Sequence, residues 1–210
     1  ALEDNTTDSS PYANTMTAYN SPGTVAAVFG NGYSSTNGSY LSMTGDSDFN
    51  AGTGDFSFGG WFKHIDQNPH TSMLLSITTD SGSATDRIKL QIDTDGTLLF
   101  FVSDDGGSTA DQITPAADIA DGLWHHIVAV RGGANFHLYI DGVNVGTTAV
   151  FNAAASLDMN NFFVGSWYNG ANNFQGIADD VFYNKSEISA EAIAKIHAEG
   201  RKKLGMGTPV

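Results

Sequence analysis

The chain of 210 residues contains no cysteine, which excludes disulfide bonds and thiol chemistry. Glutamate is scarce, since only four of the 23 acidic residues are Glu and none lies between Glu3 and Glu187. No stretch approaches the roughly 18 consecutive apolar residues of a membrane-spanning helix, so we expect no membrane insertion. The first ten residues, ALEDNTTDSS, have neither a basic start nor an apolar run, and we expect no signal peptide in this chain.

Basic residues are also scarce over most of the chain. Residues 1–184 hold 20 acidic against 4 basic residues, a net charge of −16, while the remaining residues carry about +2. Nucleic acids and anionic membranes require cationic patches, so this charge argues against both as partners. The same charge is compatible with divalent cations, neutral glycans or a surface that is merely soluble.

Glycine is frequent, at 24 residues, and short runs of aromatic and β-branched residues alternate with Gly, Asn, Asp and Ser. The dipeptides Asp95-Gly96 and Asp141-Gly142 each separate two alternating segments, which is a strong hairpin signal. We predict an all-β antiparallel fold for residues 25–198, either a two-sheet sandwich or a barrel, after a polar N-terminal arm at 1–24. Residues 199–210 are predicted to be a tail or the start of a linker.

One segment, SAEAIAKIHAEG at residues 189–200, departs from the strand pattern. Its apolar residues follow helical spacing, Ser189 is a candidate N-cap and Gly200 a candidate end. We therefore predict a single short C-terminal helix whose Ile193 and Ile196 dock on the sheets.

Five motifs in this order resemble the concanavalin A-like lectin/glucanase superfamily, in particular its laminin-G-like (LamG-type) jelly-roll domains. They are DFSFGGWFK, DGLWHHIVAV, LYIDGVNVG, FQGIADDVFYN and SAEAI. The resemblance implies a jelly-roll sandwich whose ligands commonly bind on the concave face or on the rim loops. It does not fix the function, because this fold serves lectins, glycosidases, lyases and adhesion domains.

Catalysis finds little support in the sequence. The glycosidases of this superfamily use a pair of strand-borne glutamates, about 5 Å apart, and the central part of this chain has no Glu. The lyases require a convergent Arg, Gln, His and Tyr, for which the nearest approach is Arg87, Gln91, His137 and Tyr139. We predict no catalytic residues.

The adjacent pair His125-His126 raises the question of a metal or catalytic site. Neighbouring side chains on a strand point to opposite faces, so these two imidazoles are not expected to chelate one ion. We predict that one of them is packed and hydrogen-bonded and that the other is partly exposed.

Calcium binds oxygen ligands from Asp, Asn and backbone carbonyls. Members of the resembled superfamily often carry a structural calcium between an early loop and the last strand. The matching positions here are Asp46, Asp48 and Asn50 in the early loop and Asp180 in the strand. The alternative is that these residues cap turns and solubilise the surface.

Glycan binding requires aromatic platforms beside hydrogen-bonding side chains. The loop GSWYNGANNFQG, residues 165–176, combines both, and a second loop offers Tyr33 and Tyr40. The predicted ligand-binding residues are Trp167, Tyr168, Asn169, Asn172, Asn173 and Tyr33. The alternative is that the aromatic residues only pack these loops onto the sandwich.

Three functions follow, in order of preference. The first is a non-catalytic carbohydrate-binding module with a structural calcium, on a secreted, cell-surface or virion protein. The second is a structural or adhesion domain of a phage or bacterial surface assembly that binds a protein partner. The third is a polysaccharide-active enzyme.

Overall fold

The computed structural model describes residues 14–36, 38–65, 70–79, 86–104, 109–149 and 156–206. Short turns connect most of the strands in these ranges, as the glycine-rich sequence predicts. The strands are β1 (Thr17–Tyr19), β2 (Gly23–Ala26), β3 (Asn31–Ser35), β4 (Tyr40–Met43), β5 (Phe56–His64), β6 (Ser72–Thr78), β7 (Arg87–Ile92), β8 (Leu98–Asp104), β9 (Thr109–Ile113), β10 (Trp124–Gly132), β11 (Asn135–Ile140), β12 (Val143–Ala149), β13 (Asn161–Val164) and β14 (Gly176–Asn184). The helix α1 covers Ala190–Lys203.

The strands form two sheets of seven strands each. Sheet I has the order β1-β4-β13-β6-β7-β8-β9, and sheet II has the order β12-β11-β10-β5-β14-β3-β2. The neighbouring strands within each sheet are antiparallel. The prediction of an all-β antiparallel sandwich with one C-terminal helix is confirmed.

The core lies between the two sheets and is rich in phenylalanine. Phe58 and Phe136 of sheet II lie 6.1 and 5.9 Å from Phe100 of sheet I, measured between ring centroids. All three rings are essentially inaccessible to solvent, and burying one such side chain stabilises the fold by about 1.5–3 kcal/mol.

Because side chains alternate along a strand, the odd-numbered residues Arg87 and Lys89 of β7 point away from this core.

The Asp-Gly turns join consecutive paired strands, as predicted. Asp141 and Gly142 both have positive φ, 52° and 81°, and link β11 to β12. Both angles are those of a type I′ turn. Asp95-Gly96 links β7 to β8, but only Gly96 has positive φ there.

The helix α1 packs on the outer face of sheet II through Ile193, His197 and Gly200, which are buried at spacings of four and three residues. Ser189 caps the helix, since its Oγ accepts a hydrogen bond from the Ala192 amide at 3.2 Å. Ile196, predicted to dock, is only half-buried. The helix also continues to Lys203, so the boundary predicted at residue 198 was too early. None of the described helices has the length and apolar character of a membrane span.

The predicted polar arm contributes to both sheets. Residues 1–13 lie outside the described ranges, but β1 pairs with β4 at the edge of sheet I and β2 pairs with β3 at the edge of sheet II. Every residue of β1 and β2 is exposed. Backbone pairing needs no apolar side chain, which is why the polar sequence did not reveal these strands.

Candidate functional site

An open cleft of about 650 Å³ lies at the rim of sheet I, where β6 begins and β7 ends. We call it the amide cleft. Its described lining residues carry no acidic and no permanently basic side chain, so the cleft is suited to hydrogen bonding. They are Gly38, His70, Thr71, Thr94, Asn172, Asn173 and Gln175.

Backbone hydrogen bonds fix the loop that supplies the two asparagines. The carbonyl of Asn172 accepts a bond from the Met73 amide at 2.8 Å, at the start of β6. The Phe174 amide donates to the Gly165 carbonyl at 2.8 Å, and the Phe174 ring is fully buried. Asn172 has a φ of 51°, in the left-handed region that Asn tolerates better than most residues. The loop is therefore held in place before any ligand arrives.

Asn173 presents an unsatisfied donor at the wall of the cleft. Its Nδ2 is buried and has no hydrogen-bond partner, the one such buried side-chain atom among the described cleft-lining residues. Its backbone carbonyl lies 3.3 Å from Nε2 of His70, and the same nitrogen lies 3.2 Å from Oγ of Ser72. An unpaired buried donor costs about 1–3 kcal/mol.

Two stacked tyrosines lie beside the cleft. The rings of Tyr19 and Tyr40 are parallel within 3° at a centroid distance of 4.6 Å, and Tyr19 is 41% exposed. Tyr40 contacts the predicted loop, since a Cβ placed on Gly170 would lie 2.9 Å from its ring. Asn20 Nδ2 donates to the carbonyl of Gly38, a cleft residue, at 3.0 Å. This tyrosine pair is an aromatic platform next to hydrogen-bonding groups.

The structure brings part of the predicted ligand-binding set together. Asn172 and Asn173 line the cleft, and Trp167 and Tyr168 are half-buried with ring centroids 5.9 Å apart. The backbone of Asn169 lies in the 3-10 turn Tyr168–Gly170, and its side chain lies outside the described part of the structure.

Tyr33 does not belong to this set. It is 4% exposed, and its hydroxyl donates to the Ser39 carbonyl at 2.7 Å. Burial raises the pKa of Tyr33 to about 12. Its ring supports the neighbouring loops from the core side of β3 and is not accessible to a ligand.

Sequence reasoning missed Tyr19, His70, Thr94 and Gln175. Tyr19 was assigned to the polar arm, and only the pairing of β1 with β4 places it opposite Tyr40. The other three residues meet because turns distant in sequence converge at one rim of sheet I. No local pattern signals such a convergence.

The predicted calcium ligands are not assembled into a cluster by their side chains. Oδ1 of Asp46 accepts a bond from the Asp48 amide at 2.8 Å, and Oδ2 of Asp48 lies 3.4 Å from Asn14 Nδ2. Over the described ranges, no three His, Cys, Asp or Glu residues lie close enough together to hold a metal ion. The carboxylates of Asp46, Asp48 and Asp180 thus do not fit a three-carboxylate site, and calcium stays a prediction.

The final strand departs from simple alternation at the Asp pair. A bulge lies between Asp179 and Phe182, and Asp180 has a φ of 48°. Asp179 is only 2% exposed, and its carboxylate accepts bonds from the amides of Phe29 and Asp180 at 2.7 and 2.8 Å. Burial raises the pKa of Asp179 despite these bonds. Through these hydrogen bonds, Asp179 joins β14 to the loop before β3.

His125 and His126 point to opposite faces, as predicted. His126 is 1% exposed on the helix side of sheet II, with its ring 5.1 Å from that of Trp61. Burial and the neighbouring His197 lower the pKa of His126 to about 4. His125 instead lies between Asp141 and Asp121 and is half-buried. Neither shares an ion-binding cluster within the described residues.

The four residues compared with a lyase site do not converge. Arg87 and Gln91 point outward from sheet I, whereas His137 and Tyr139 point outward from sheet II. Tyr139 is 7% exposed and packs in the small apolar cluster under α1 with Ile193. The whole sandwich separates the two pairs, so this candidate catalytic set is not formed.

Comparison with protein-family models gives one match. The model described as the concanavalin A-like lectin/glucanases superfamily, Laminin_G_3, matches residues 35–194. A search of curated proteins finds no match.

Several solved structures share the fold at low sequence identity. The binding domain of Paraclostridial Mosquitocidal Protein 1 has a TM-score of 0.72 at 15% identity, with 91% of this chain and 49% of that chain covered. Botulinum neurotoxin type C, whose uptake into cells depends on two ganglioside molecules, has a TM-score of 0.72 at 15% identity, with coverage of 95% and 50%. This chain thus spans about half the length of those toxin domains.

A third neighbour is closer to this chain in length. The IT-sialidase CBM40 of Ruminococcus gnavus has a TM-score of 0.59 at 13% identity, with 70% of this chain and 84% of that chain covered. One of its structures contains alpha2,3 sialyllactose. Identities this low establish a shared fold alone.

Proposed function

The chain belongs to the concanavalin A-like lectin/glucanases superfamily, and we propose that it is a non-catalytic carbohydrate-binding module that acts outside the cell. One observation carries the proposal: an open amide cleft lies beside a stacked pair of tyrosines, of which Tyr19 is exposed to solvent. Sugars present both hydroxyl groups and apolar faces, which need hydrogen-bonding side chains and aromatic rings respectively. The fold neighbours include proteins described with gangliosides and sialyllactose.

A binding role also fits the arrangement of charge. Catalysis by a glycosidase needs two carboxyl groups, one as nucleophile or base and one as general acid. The described cleft residues include no carboxylate. The cleft is open to solvent, as a site for the end or side of a glycan chain would be.

A glycan array followed by isothermal titration calorimetry tests the proposal. We expect binding of at least one glycan at micromolar to millimolar concentration, and a loss of about tenfold or more for Asn173→Ala and Tyr40→Ala. Tyr183→Phe is the control, because Tyr183 lies in the core and its hydroxyl contacts the Phe49 carbonyl far from the cleft. Absence of binding to every glycan would refute the proposal.

Calcium is tested separately, by thermal melting with and without a chelator. If a structural calcium is bound near Asp46 and Asp48, chelation lowers the melting temperature and Asp48→Asn reproduces that loss. Equal melting curves with and without the chelator would exclude the ion. The carbohydrate proposal does not depend on this result.

A protein partner is the second candidate function. Leu123 and Val143 are 55% and 63% exposed, and each stands two positions after one of the two aspartates that bind His125. One of the structural neighbours is a botulinum neurotoxin binding domain in complex with synaptotagmin II. Leu123→Ser with Val143→Ser would abolish binding to a protein partner while leaving glycan binding unchanged.

A further inference from the structure

The outer face of sheet I carries an unusual pair of cations. Residues 1–184 contain only four basic residues, and two of them, Arg87 and Lys89, stand two positions apart on β7. They point outward on the same side of the strand, away from the core residue Ile88 between them. Their clustering contrasts with the strongly acidic character of this part of the chain.

Both cations flank one aromatic ring. The Arg87 guanidinium carbon lies 5.1 Å and the Lys89 Nζ lies 5.0 Å from the ring centroid of Phe101. Phe101 is opposite Lys89 in the pairing of β7 with β8, and it is half-buried. We call Arg87, Lys89 and Phe101 the cationic platform.

No described carboxylate forms an ion pair with either cation. Arg87 Nε donates to the Ser103 hydroxyl at 3.1 Å, and Lys89 Nζ donates to Oε1 of Gln91 at 2.8 Å. The nearest acidic group along this network is Asp93, which accepts a hydrogen bond from the amide of Gln91 and whose charge favours the protonated form of Lys89. Burial, followed by repulsion from Arg87, lowers the pKa of Lys89. An anion placed between the two cations would relieve that repulsion.

The platform and the amide cleft are connected by β7 and the turn that follows it. Thr94, which lines the cleft, follows Lys89 by five positions, a chain distance of at most about 16 Å. Gln91 lies between them and is paired with Met73, whose amide bonds to Asn172 of the cleft. A glycan seated in the cleft can therefore extend along β7 toward the platform.

We propose that the ligand is an acidic glycan whose carboxylate or sulfate group is held by Arg87 and Lys89, with an apolar sugar face on Phe101. This inference rests on the proposed carbohydrate-binding function and names its substrate class. Charge-assisted hydrogen bonds to Arg and Lys are the strong contacts for both anions. The net negative charge of the protein does not oppose this, because salt screens distant charges beyond about 8 Å.

Calorimetry with matched glycan pairs tests the proposal. The probes are lactose against sialyllactose for the carboxylate, and lactose against sulfated lactose for the sulfate. We expect the acidic member of at least one pair to bind about tenfold tighter or more than lactose, with an affinity that weakens as salt is added. The pair that shows the preference identifies which anion is recognised.

Variants assign the preference to the platform. Lys89→Gln and Arg87→Gln should each remove the preference for the acidic member while leaving lactose affinity unchanged, and Lys89→Arg should retain it. Lys63→Gln is the matched control, because it removes the same charge from the outer face of sheet II. Circular dichroism and thermal melting confirm that each variant is folded.

The outcomes separate the two claims. Equal affinity for neutral and acidic members, or an equal loss of both in Lys89→Gln, overturns the acidic-glycan inference and leaves the carbohydrate-binding function intact. Failure of the wild type to bind any glycan on the array overturns both.

Discussion

The imidazole of His125 is paired with the carboxylate of Asp141: its Nδ1 lies 2.9 Å from Oδ2 of Asp141. The other oxygen of Asp141 accepts a bond from the His126 amide at 2.9 Å. Asp141 is the first residue of the β11–β12 turn and has positive φ. The pair therefore connects the start of β10 to this hairpin, which gives the conspicuous histidine a structural role.

His125 is expected to stabilise the protein more at low pH. Burial opposes its protonation, but the carboxylates of Asp141 and Asp121 outweigh that effect and raise the pKa of His125 above its ordinary value near 6.5. Its contribution is therefore fully present below pH 6.5 and is lost as the pH rises through the folded-state pKa. Urea unfolding of wild type and His125→Gln should show a larger difference at pH 5.5 than at pH 8.5. A difference independent of pH would contradict the ion pair.

His126 is expected to act in the opposite direction. Its pKa is lowered to about 4 by burial and by His197, so the unfolded chain takes up a proton more readily than the folded protein does. The contribution of neutral His126 to the free energy of unfolding is thus fully present above pH 6.5. It is lost as the pH falls from 6.5 toward 4, by up to about 3 kcal/mol. His126→Phe preserves an aromatic ring beside Trp61 and should reduce the loss between pH 7 and pH 4.5. An unchanged pH dependence in this variant would show that other groups cause the acid sensitivity.

A methyl group at position 200 is not expected to fit against Trp61. A Cβ at this position would lie 2.1 Å from Cζ2 of Trp61, which is itself 1% exposed. In an isolated helix Gly→Ala stabilises by about 1 kcal/mol, whereas overpacking costs about 1–3 kcal/mol. Gly200→Ala should therefore lower the free energy of unfolding in urea, while the exposed neighbour Glu199→Ala changes it little. A stabilised Gly200→Ala would mean that α1 is docked more loosely.

The positive φ of Asn172 is expected to limit which residues position 172 tolerates. With a φ of 51°, alanine there should cost about 1 kcal/mol of unfolding free energy, and Asn172→Gly should restore most of it. Glycan binding should be weakened in both variants, because both remove the cleft amide. Recovery of binding in the glycine variant would show that Asn172 acts only through its backbone.

Much of the fold was predictable because it depends on local patterns. Alternation along β7 and β10 correctly predicted which side chains share a face, and the Asp141-Gly142 pair correctly predicted a hairpin. The edge strand β1 and the first residues of β2, which fall in the predicted arm, were not predictable, because they are held by backbone pairing and their side chains are exposed. The bulge in β14 was likewise missed; it lies beside Asp179, whose carboxylate accepts a bond from the distant Phe29 amide.

The candidate site was predictable only in part. The polar and aromatic composition of residues 165–176 drew attention to Asn172 and Asn173, which line the cleft. The same reasoning selected Tyr33, whose environment in the core depends on neighbours far along the chain. Tyr19 and Lys89 stood in segments that carried no binding signal of their own.

The order of its strand motifs, the missing central glutamates and the scarcity of basic residues are properties of the sequence alone, and they determined the sandwich and argued against glycosidase chemistry. The folded chain was needed to show which polar residues meet at the rim of sheet I and that two of the few cations flank one phenylalanine. The physical reason is that alternation and turn preference act over a few residues, whereas a binding surface is formed by strands paired across the whole chain.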